Sequence, residues 1–510
     1  MVAMEISRAG PRTWIGFLIM CLGMFMAILD IQIVTTSLPT IQQALGIAPD
    51  QMSWVQTAYL TAEIVAIPLT GFLVARFGMR WLFVMAVTLF TLASAGCAQS
   101  QGFTGLIVWR VIQGFAGGTL IPTVFSAVFL LFPRRAQGAA TMVAGIAAVL
   151  APTVGPIAGG WLTETFSWHW LFRVNILPGV LAALGAAVTL RGGRSDLRWR
   201  RAVDVAALAA LAAGLVALEI AMKDAPRLGW GSSQTVLLLV AFVACTVFFV
   251  VKTRRSSSAL IELRCFADRN FAIGCVLSFT LGVGLFGSVY LMPFFLGLVR
   301  GHNALQIGEI MLVTGVAQLV AAPLAVALEQ RIDARLLSGF GFILFAAGLL
   351  LSTRQTADTD AAGMMLPQLL RGAAIMFCLL PPTRLALGWL PEAQVADASG
   401  VFNLMRNLGG AIGLALIDTV IFSRATTYGT QLADRLRAGD VATAVSIGIP
   451  RDAFIEQIGT PPDAFTTEMV RPLVEKVALV HAINDAWLLI GLLTAASLVF
   501  IPFVRRRSAR

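Results

Sequence analysis

Charged residues are scarce in this sequence. Only 13% of the 510 residues are Asp, Glu, Lys or Arg, whereas 58% are hydrophobic and the mean hydropathy is +0.83. An ordinary soluble domain is about 25% charged and about 45–50% apolar. A soluble chain of this length could not bury so much apolar surface. The composition therefore indicates an integral membrane protein.

Motifs that bind metals or nucleotides are also missing. The six cysteines are scattered without a C-x-x-C spacing and the three histidines lie far apart, which argues against a disulfide framework or a metal site. No G-x-x-x-x-G-K-[ST] segment is present to hold phosphates. We therefore expect no metal, no cofactor and no enzymatic reaction, and an ion gradient as the energy source.

Long apolar stretches recur along the whole chain. A membrane-spanning helix needs about 20 consecutive, mostly apolar residues, and the sequence contains fourteen such candidate segments. Their boundaries are 14–35, 52–74, 81–99, 104–131, 138–162, 170–190, 204–222, 235–251, 271–297, 305–327, 335–352, 363–388, 398–424 and 485–504. Because backbone groups in lipid must bond within their own segment, the sequence predicts an all-α membrane fold.

Basic residues are distributed unevenly between the connecting segments. If the N-terminus is cytoplasmic, 22 of the 37 Lys and Arg residues fall in inner segments and only 4 in the short outer loops. Cytoplasmic loops carry such an excess, so both termini are predicted inside. This distribution also accounts for the net charge of +10 without a nucleic-acid partner. Segment 425–484 is then a long polar outer loop, expected to fold as amphipathic pieces.

Three short matches suggest an internal repeat. Arg76–Arg80 pairs with Arg331–Arg335 at an offset of 255, and two further pairs of segments match at 257 and 258. The two further pairs are Arg12–Trp14 with Arg269–Phe271, and Val111–Gly114 with Leu369–Gly372. We interpret this as a duplicated six-helix unit, with chance similarity between basic loops as the alternative. The expected parts are a first half over 1–195, an inserted helix pair over 196–260, and a second half over 261–510.

Three charged residues of the first half lie inside predicted spans. Asp30 is in the first segment, Glu63 in the second and Arg110 in the fourth. Intramembrane charge is costly and marks functional sites, so we predict that the two acids couple transport to protons and that Arg110 tunes them. Glu63 is favoured as the exchanging acid because it lies closer to mid-helix. Reversed roles, or purely structural ties to neighbouring helices, are the alternatives.

Polar side chains on the same helix faces are candidates for lining a central cavity. Gln56 and Tyr59 accompany Glu63 on the second segment, and Gln113 follows Arg110 by one turn. Asn403 and Arg406 share a face of the thirteenth segment. We predict that these five residues contact the substrate.

The fifth segment combines small residues with proline. Gly155 and Gly159 are four residues apart, Gly160 follows, and Pro152 and Pro156 interrupt the same stretch. Small residues at this spacing let helices approach closely, and proline bends a helix. The pattern predicts a tightly packed, kinked gate.

These motifs resemble those of the major facilitator superfamily, specifically its fourteen-span drug:proton antiporters of the EmrB/QacA type. The resemblance covers nearly the whole chain and favours the EmrB-like branch. The matching segments are Gly71–Arg80 with Gly71, Arg76, Gly78 and Arg80 in the inner-loop motif, Arg110–Gly114, Gly155–Gly160, Leu29–Asp30 with Leu38–Pro39, Trp168–Pro178 and Asn403–Gly410. Two positions depart from the pattern: Ala75 replaces the usual Asp of the inner loop, and Thr35 replaces an Asn.

The resemblance implies a proton-coupled exporter of hydrophobic or amphipathic small molecules in a bacterial inner membrane. It also implies a periplasmic membrane-fusion adaptor and an outer-membrane channel as partners. A dedicated exporter of one endogenous metabolite or lipid-like compound is the alternative. A nutrient importer is disfavoured by the Gly155–Pro156 motif, and no catalytic constellation supports a membrane-embedded enzyme or sensor.

Overall fold

The computed structural model describes residues 10–190, 204–255, 263–329, 331–388, 390, 392–457 and 464–505. Within these ranges the helices are α1 (Pro11–Thr36), α2 (Leu38–Leu45), α3 (Trp54–Ala66), α4 (Leu69–Ala98), α5 (Phe103–Leu131), α6 (Arg134–Thr165), α7 (Trp170–Arg173), α8 (Ile176–Thr189), α9 (Val205–Leu228), α10 (Ser233–Arg255), α11 (Arg269–Leu298), α12 (Ala304–Glu329), α13 (Ala334–Leu351), α14 (Ala361–Leu387), α15 (Glu392–Arg437), α16 (Val441–Ser446), α17 (Arg451–Gln457) and α18 (Ala464–Ser497). The predicted all-helical fold is confirmed. The expected part boundaries at 195/196 and 260/261 lie outside the described residues. So do Arg8, the five arginines between 191 and 201, and the last three arginines of the chain.

Thirteen helices in the described ranges are long and apolar enough to cross a membrane. The predicted segment 52–74 is not among them, because α3 has 13 residues and ends just before Ile67 and Pro68. Proline lacks an N–H and interrupts the helical bonding. The chain continues in α4 to a kink at Gly78, and the next span follows. The structure therefore divides the predicted second segment into two helical pieces.

The two halves pack by the same plan. In the first half, α1 lies against α5, α6 and α8; in the second half, α11 lies against α14, α15 and α18. The corresponding helices follow in the same order along the chain, as a duplicated unit predicts.

The pair α9 and α10 forms a helical hairpin between the halves in sequence. α9 packs on both α3 and α15, and the Thr419 hydroxyl of α15 donates to the Met222 carbonyl of α9 at 2.8 Å. In the most apolar stretch of α10 only 11% of the residues are buried within the protein, whereas in that of α9 50% are buried. The outer helix therefore offers its apolar surface to lipid.

Helices α6 and α12 run antiparallel and join the two halves. Near the end of α6, Gly160 faces the backbone of Ala304, which begins α12. Further back along α6, the Thr153 hydroxyl donates to the Gly315 carbonyl at 3.2 Å. The glycines leave no side chain between the two backbones, so the helices approach closely.

Arginines cap the last turn of α8 at one end of the bundle. Arg12 donates from Nη2 to the Val188 carbonyl at 2.6 Å, and Arg80 donates to the Ala187 carbonyl. Guanidinium groups satisfy the free carbonyls and complement the dipole at a helix C-terminus. We call this the basic end, and the end carrying Ser37, Ser53 and Ala304 the opposite end.

The predicted loop 425–484, which was expected to fold as amphipathic pieces, is largely helical. α15 continues to Arg437, α18 already begins at Ala464, and α16 and α17 lie between them. A small separate core holds this region, here called the projection, together. It contains Tyr428, Leu432 and Leu436 of α15 and Val470, Val474, Val477 and Ala478 of α18. Four-residue spacing places the α15 residues on one helix face.

Candidate transport site

A buried ion pair joins α1 to α5 inside the first half. Nη1 of Arg110 lies 2.5 Å from Oδ2 of Asp30, and both side chains are completely buried. The same Nη1 donates to Oε1 of Gln113 at 2.8 Å. Asp30 of the first predicted segment therefore meets Arg110 and Gln113 of the fourth in one cluster.

The second oxygen of Asp30 is also occupied by donors. Nε2 of Gln113 donates to Oδ1 at 2.9 Å, and Nδ2 of Asn175 donates to it at 2.8 Å. Gln113 is itself fixed by Ser94 of α4, whose hydroxyl lies 2.8 Å from Nε2. Four helical regions thus converge on one carboxylate. Removing one partner of such a buried pair leaves an uncompensated charge and destabilises the protein strongly.

The guanidinium of Arg110 also ties α5 to α3. Its Nε donates to the Val55 carbonyl at 2.9 Å, and its Cζ lies 4.4 Å from the centroid of the Tyr59 ring. The close approach depends on glycine: a side chain at Gly114 would collide with the Tyr59 backbone, and one at Gly118 would lie 2.8 Å from the Glu63 carbonyl. The small residues of α5 therefore position the charged cluster against α3.

Glu63 lies where the first half meets the second. It is 2% exposed, and its electrostatic neighbours include Arg406 and Asn407 of α15. Its Oε2 atom has no hydrogen-bond partner among the described residues. Asp30 differs, because both of its oxygens hold donors. The structure therefore separates the two predicted acids into different environments.

A second acid connects the halves near the opposite end. Asp418 of α15 accepts a hydrogen bond from the Tyr290 hydroxyl at 2.9 Å and another from the Ser53 hydroxyl. Ser53 directly precedes α3, so this contact crosses from the first half to the second. Asp418 is 2% exposed. It therefore fastens α3 to α15 on the side of the bundle where α6 meets the start of α12.

The remaining predicted cavity residues are placed as follows. Gln56 is buried, and neither of its amide atoms has a partner among the described residues. Tyr59 is completely buried and donates to the Ala27 carbonyl at 3.4 Å. Asn403 and Arg406 are half-buried on α15, where the Asn403 amide donates to its own helix at Ser399.

The gate motif of α6 faces both halves. Gly155 lies against Gln32 and Gly159 against the Ile33 backbone, both on α1, while Gly160 faces α12. A larger side chain at either of the first two positions would push α6 away from α1. The motif therefore packs against α1 of the same half and against α12 of the other half.

The two prolines of this motif lie inside α6, which continues through both of them. Pro152 is half-buried, and the carbonyl of Pro156 faces Gly308 of α12. Between them, Thr153 contacts Gly315. The proline-containing turn is therefore part of the interface between the halves.

The inner-loop motif lies at the basic end. Arg76 is exposed, and no atom lies within 4 Å of a side chain added at Gly71. Gly78 has φ +74° and ψ 153°, a backbone conformation essentially restricted to glycine. Arg80 caps α8. The motif therefore supplies a tight kink and an anchor, and this explains two of its four predicted positions.

Sequence reasoning did not assign site roles to Ser94, Asn175 and Asn407, or to Ser53 and Tyr290. Asn175 carried a signal, because it lies within the Trp168–Pro178 motif. Asn407 carried the same kind of signal, because it lies within the Asn403–Gly410 motif, and the other three carried none. Helical periodicity gives the face of a helix, but it does not say which distant helix packs on that face.

The comparisons with known proteins agree with this architecture. The family model described as Major Facilitator Superfamily matches residues 20–414. The chain belongs to this superfamily. The "Colistin resistance protein EmrB" of Acinetobacter baumannii is 34% identical over 97% of this chain and 96% of its own length. The "Multidrug export protein EmrB" of Escherichia coli K12 is 31% identical over 83% of each chain.

Solved structures show the same fold. A bacterial homologue of the human lysosomal transporter Spinster, in an inward-facing and unoccupied conformation, aligns with a TM-score of 0.62 and 14% identity. The alignment covers 98% of this chain and 99% of the homologue. This superfamily member is therefore a multi-pass membrane transporter and not an enzyme, and the predicted EmrB-like membership is confirmed.

Proposed function

We propose that this transporter exports hydrophobic or amphipathic small molecules in exchange for protons. The observation that carries the proposal is the position of Glu63. It is a buried acid at the interface between the halves, and within the described ranges its Oε2 atom has no hydrogen-bond partner. An acid in that position can bind a proton in one arrangement of the halves and lose it in another.

Gln56 supplies the adjoining polar contact. It lies seven residues before Glu63, hence two turns away on the same face of α3. Both of its amide atoms are buried without a partner among the described residues. A substrate with one polar group and an apolar body would satisfy this amide and compete with the proton for Glu63. Such competition produces exchange without direct contact between substrate and proton.

Asp30 is assigned a different role. Its oxygens are held by Arg110, Gln113 and Asn175. A carboxylate with three donors is fixed in position and neutralised by the guanidinium. We infer that it holds α1, α5 and α8 in register, so that Arg110 keeps α3 and Glu63 in place.

The substrate class and the orientation complete the proposal. The similar proteins named for colistin resistance and multidrug export support a toxic, amphipathic substrate. The basic end is assigned to the cytoplasm of a bacterial inner membrane, with both termini inside, because basic residues concentrate in cytoplasmic segments. The projection then lies on the periplasmic side, where its length and separate core suit the docking of an adaptor leading to an outer-membrane channel.

A vesicle assay tests the exchange. Everted vesicles with an imposed pH gradient should accumulate tetraphenylphosphonium, an amphipathic cation, and dissipating the gradient should stop uptake. Decanoate serves as the anionic probe. Glu63→Gln should abolish proton-driven uptake of whichever probe is carried, whereas the control Glu309→Gln, at an exposed acid of α12, should retain it. Wild-type coupling in Glu63→Gln would refute the assignment of the proton to this residue.

A further inference from the structure

A second buried arginine lies within the other half of the protein. Arg371 of α14 is 2% exposed, and its Nε and Nη1 atoms have no hydrogen-bond partner among the described residues. No ion pair joins it to a carboxylate in the part of the chain that the structure describes. A guanidinium stays charged in proteins, and a buried charge without a counter-charge costs several kcal/mol.

The side chains beside Arg371 add further unused donors. Gln368, one turn earlier on α14, accepts from the Thr314 hydroxyl at 3.1 Å through Oε1. Trp487 of α18 is completely buried. In the part of the chain that the structure describes, neither Nε2 of Gln368 nor Nε1 of Trp487 has a hydrogen-bond partner. The Arg371 guanidinium lies 4.7 Å from the centroid of the Trp487 ring. Stacking uses the face of the guanidinium, so its N–H donors, which lie in the plane, remain available.

The internal repeat shows what is missing from this cluster. At the offset of 258 that relates α5 to α14, Gln368 corresponds to Arg110 and Arg371 corresponds to Gln113. The second half therefore keeps one guanidinium and one amide, with their order exchanged. At the offset of 257 that relates α1 to α11, the position of Asp30 is taken by Gly287.

Gly287, which stands where the first half has Asp30, lies in apolar surroundings. A Cβ atom placed at Gly287 would lie 2.7 Å from Cδ1 of Ile417, and the Ile490 side chain is the next neighbour. The second half thus keeps the cation and the amide donors of the first half but not the carboxylate that balances them.

We propose that a small monovalent anion, chloride or the carboxylate of a small acid, binds at Arg371, Gln368 and Trp487. It occupies the electrostatic role that Asp30 has in the first half. Gly348 of α13 lies directly against Arg371: a Cβ atom placed at Gly348 would lie only 2.7 Å from Cγ of the arginine. These close surroundings favour a small ion. The site lies within the second half, among α13, α14 and α18, and does not depend on the proposed exchange at Glu63.

Thermal unfolding of the purified full-length protein in detergent tests the site. Chloride is titrated into sodium gluconate at constant ionic strength, and acetate is titrated in a parallel series. Wild-type protein should show a saturable rise in its unfolding midpoint, because a ligand that binds only the folded state stabilises it. A response to chloride alone identifies a halide site, whereas a stronger response to acetate identifies a carboxylate site.

Two variants decide where the anion binds. Arg371→Met, which keeps a long apolar side chain, should lose the rise. Arg384→Met, which removes a guanidinium that is 53% exposed on the same helix, should keep it. No midpoint change with either anion in wild-type protein, or an equal change in Arg371→Met, would overturn the proposal.

A milder variant keeps the test decisive if Arg371→Met fails to fold. Trp487→Phe keeps an aromatic ring at this position and removes the Nε1 donor together with part of the indole. The anion concentration at half-saturation should then rise by about tenfold, as expected for one hydrogen bond to a charged group. An unchanged half-saturation point would exclude Trp487, and with it the proposed site.

Discussion

Nη1 of Arg110 lies 2.5 Å from Oδ2 of Asp30, with neither side chain exposed. The pair connects two helices that are 80 residues apart in the chain. Its remaining contacts run to Gln113, Asn175 and the Val55 carbonyl. This ion pair connects several helices of the first half, and the first three of the five predictions below concern the pair or the helices that pack around it.

Substitutions of the two residues of the ion pair should have strongly non-additive effects on the free energy of unfolding. Asp30→Asn and Arg110→Gln should each lower the free energy of unfolding by about 3–5 kcal/mol, because each leaves a buried charge without its partner. The double variant should lose less than the sum of the two. Chemical unfolding in detergent measures this double-mutant cycle. Arg76→Gln, at an exposed guanidinium, should change stability by less than about 0.5 kcal/mol. Additive losses would show that the two charges do not interact.

The gate motif should tolerate no bulk where α6 meets α1. Gly155→Leu should abolish transport while the protein still inserts and purifies, because the new side chain would collide with Gln32. The matched control is Gly145→Leu on the same helix, where nothing lies within 4 Å of an added side-chain carbon. Uptake into vesicles measures both. Undiminished transport by Gly155→Leu would show that close packing at this position is not required.

The kink in α4 should require glycine at position 78 and not at position 71. Gly78→Ala should destabilise the protein by about 1–3 kcal/mol, because φ +74° with ψ 153° is accessible essentially to glycine alone. Gly71→Ala should be nearly neutral, since it adds a methyl group to open space. The midpoints of thermal unfolding compare the two. Equal stability of both variants would contradict the backbone argument.

The projection should be reached from the periplasm. In a cysteine-free background, Ser446→Cys should react with a membrane-impermeant thiol reagent added outside spheroplasts, and Arg76→Cys should react only in everted vesicles. Both residues are exposed in the structure. Labelling of position 446 from the cytoplasmic side alone would reverse the proposed orientation.

The projection should also be needed for an adaptor. Replacing 441–457, which contains α16 and α17, by a short Gly-Ser linker should leave membrane insertion intact and abolish co-purification of the adaptor. The variant removes Ile447 and Ile449 from the small core but keeps the α15 and α18 residues that contact each other there. Adaptor recovery at the wild-type level would remove the projection from the docking surface.

Much of the fold could be predicted from the sequence because apolar length is a local property. Thirteen of the predicted spans correspond to long apolar helices, and the exception contains Pro68, which divides it. The sequence predicted amphipathic pieces over 425–484, but it did not predict that α15 and α18 continue into this segment as long helices. Local apolar periodicity was present there, but it served a small core outside the main bundle.

The sequence by itself determined that the chain crosses a membrane repeatedly and that Asp30, Glu63 and Arg110 carry intramembrane charge. It could do so because both conclusions depend only on the cost of placing polar groups in lipid. Only the tertiary structure decided that both oxygens of Asp30 accept hydrogen bonds, that Glu63 faces the other half, and that Arg371 meets no carboxylate of the described residues. These differences depend on which distant helices meet, and that is set by the packing of the whole bundle and not by the spacing within one segment.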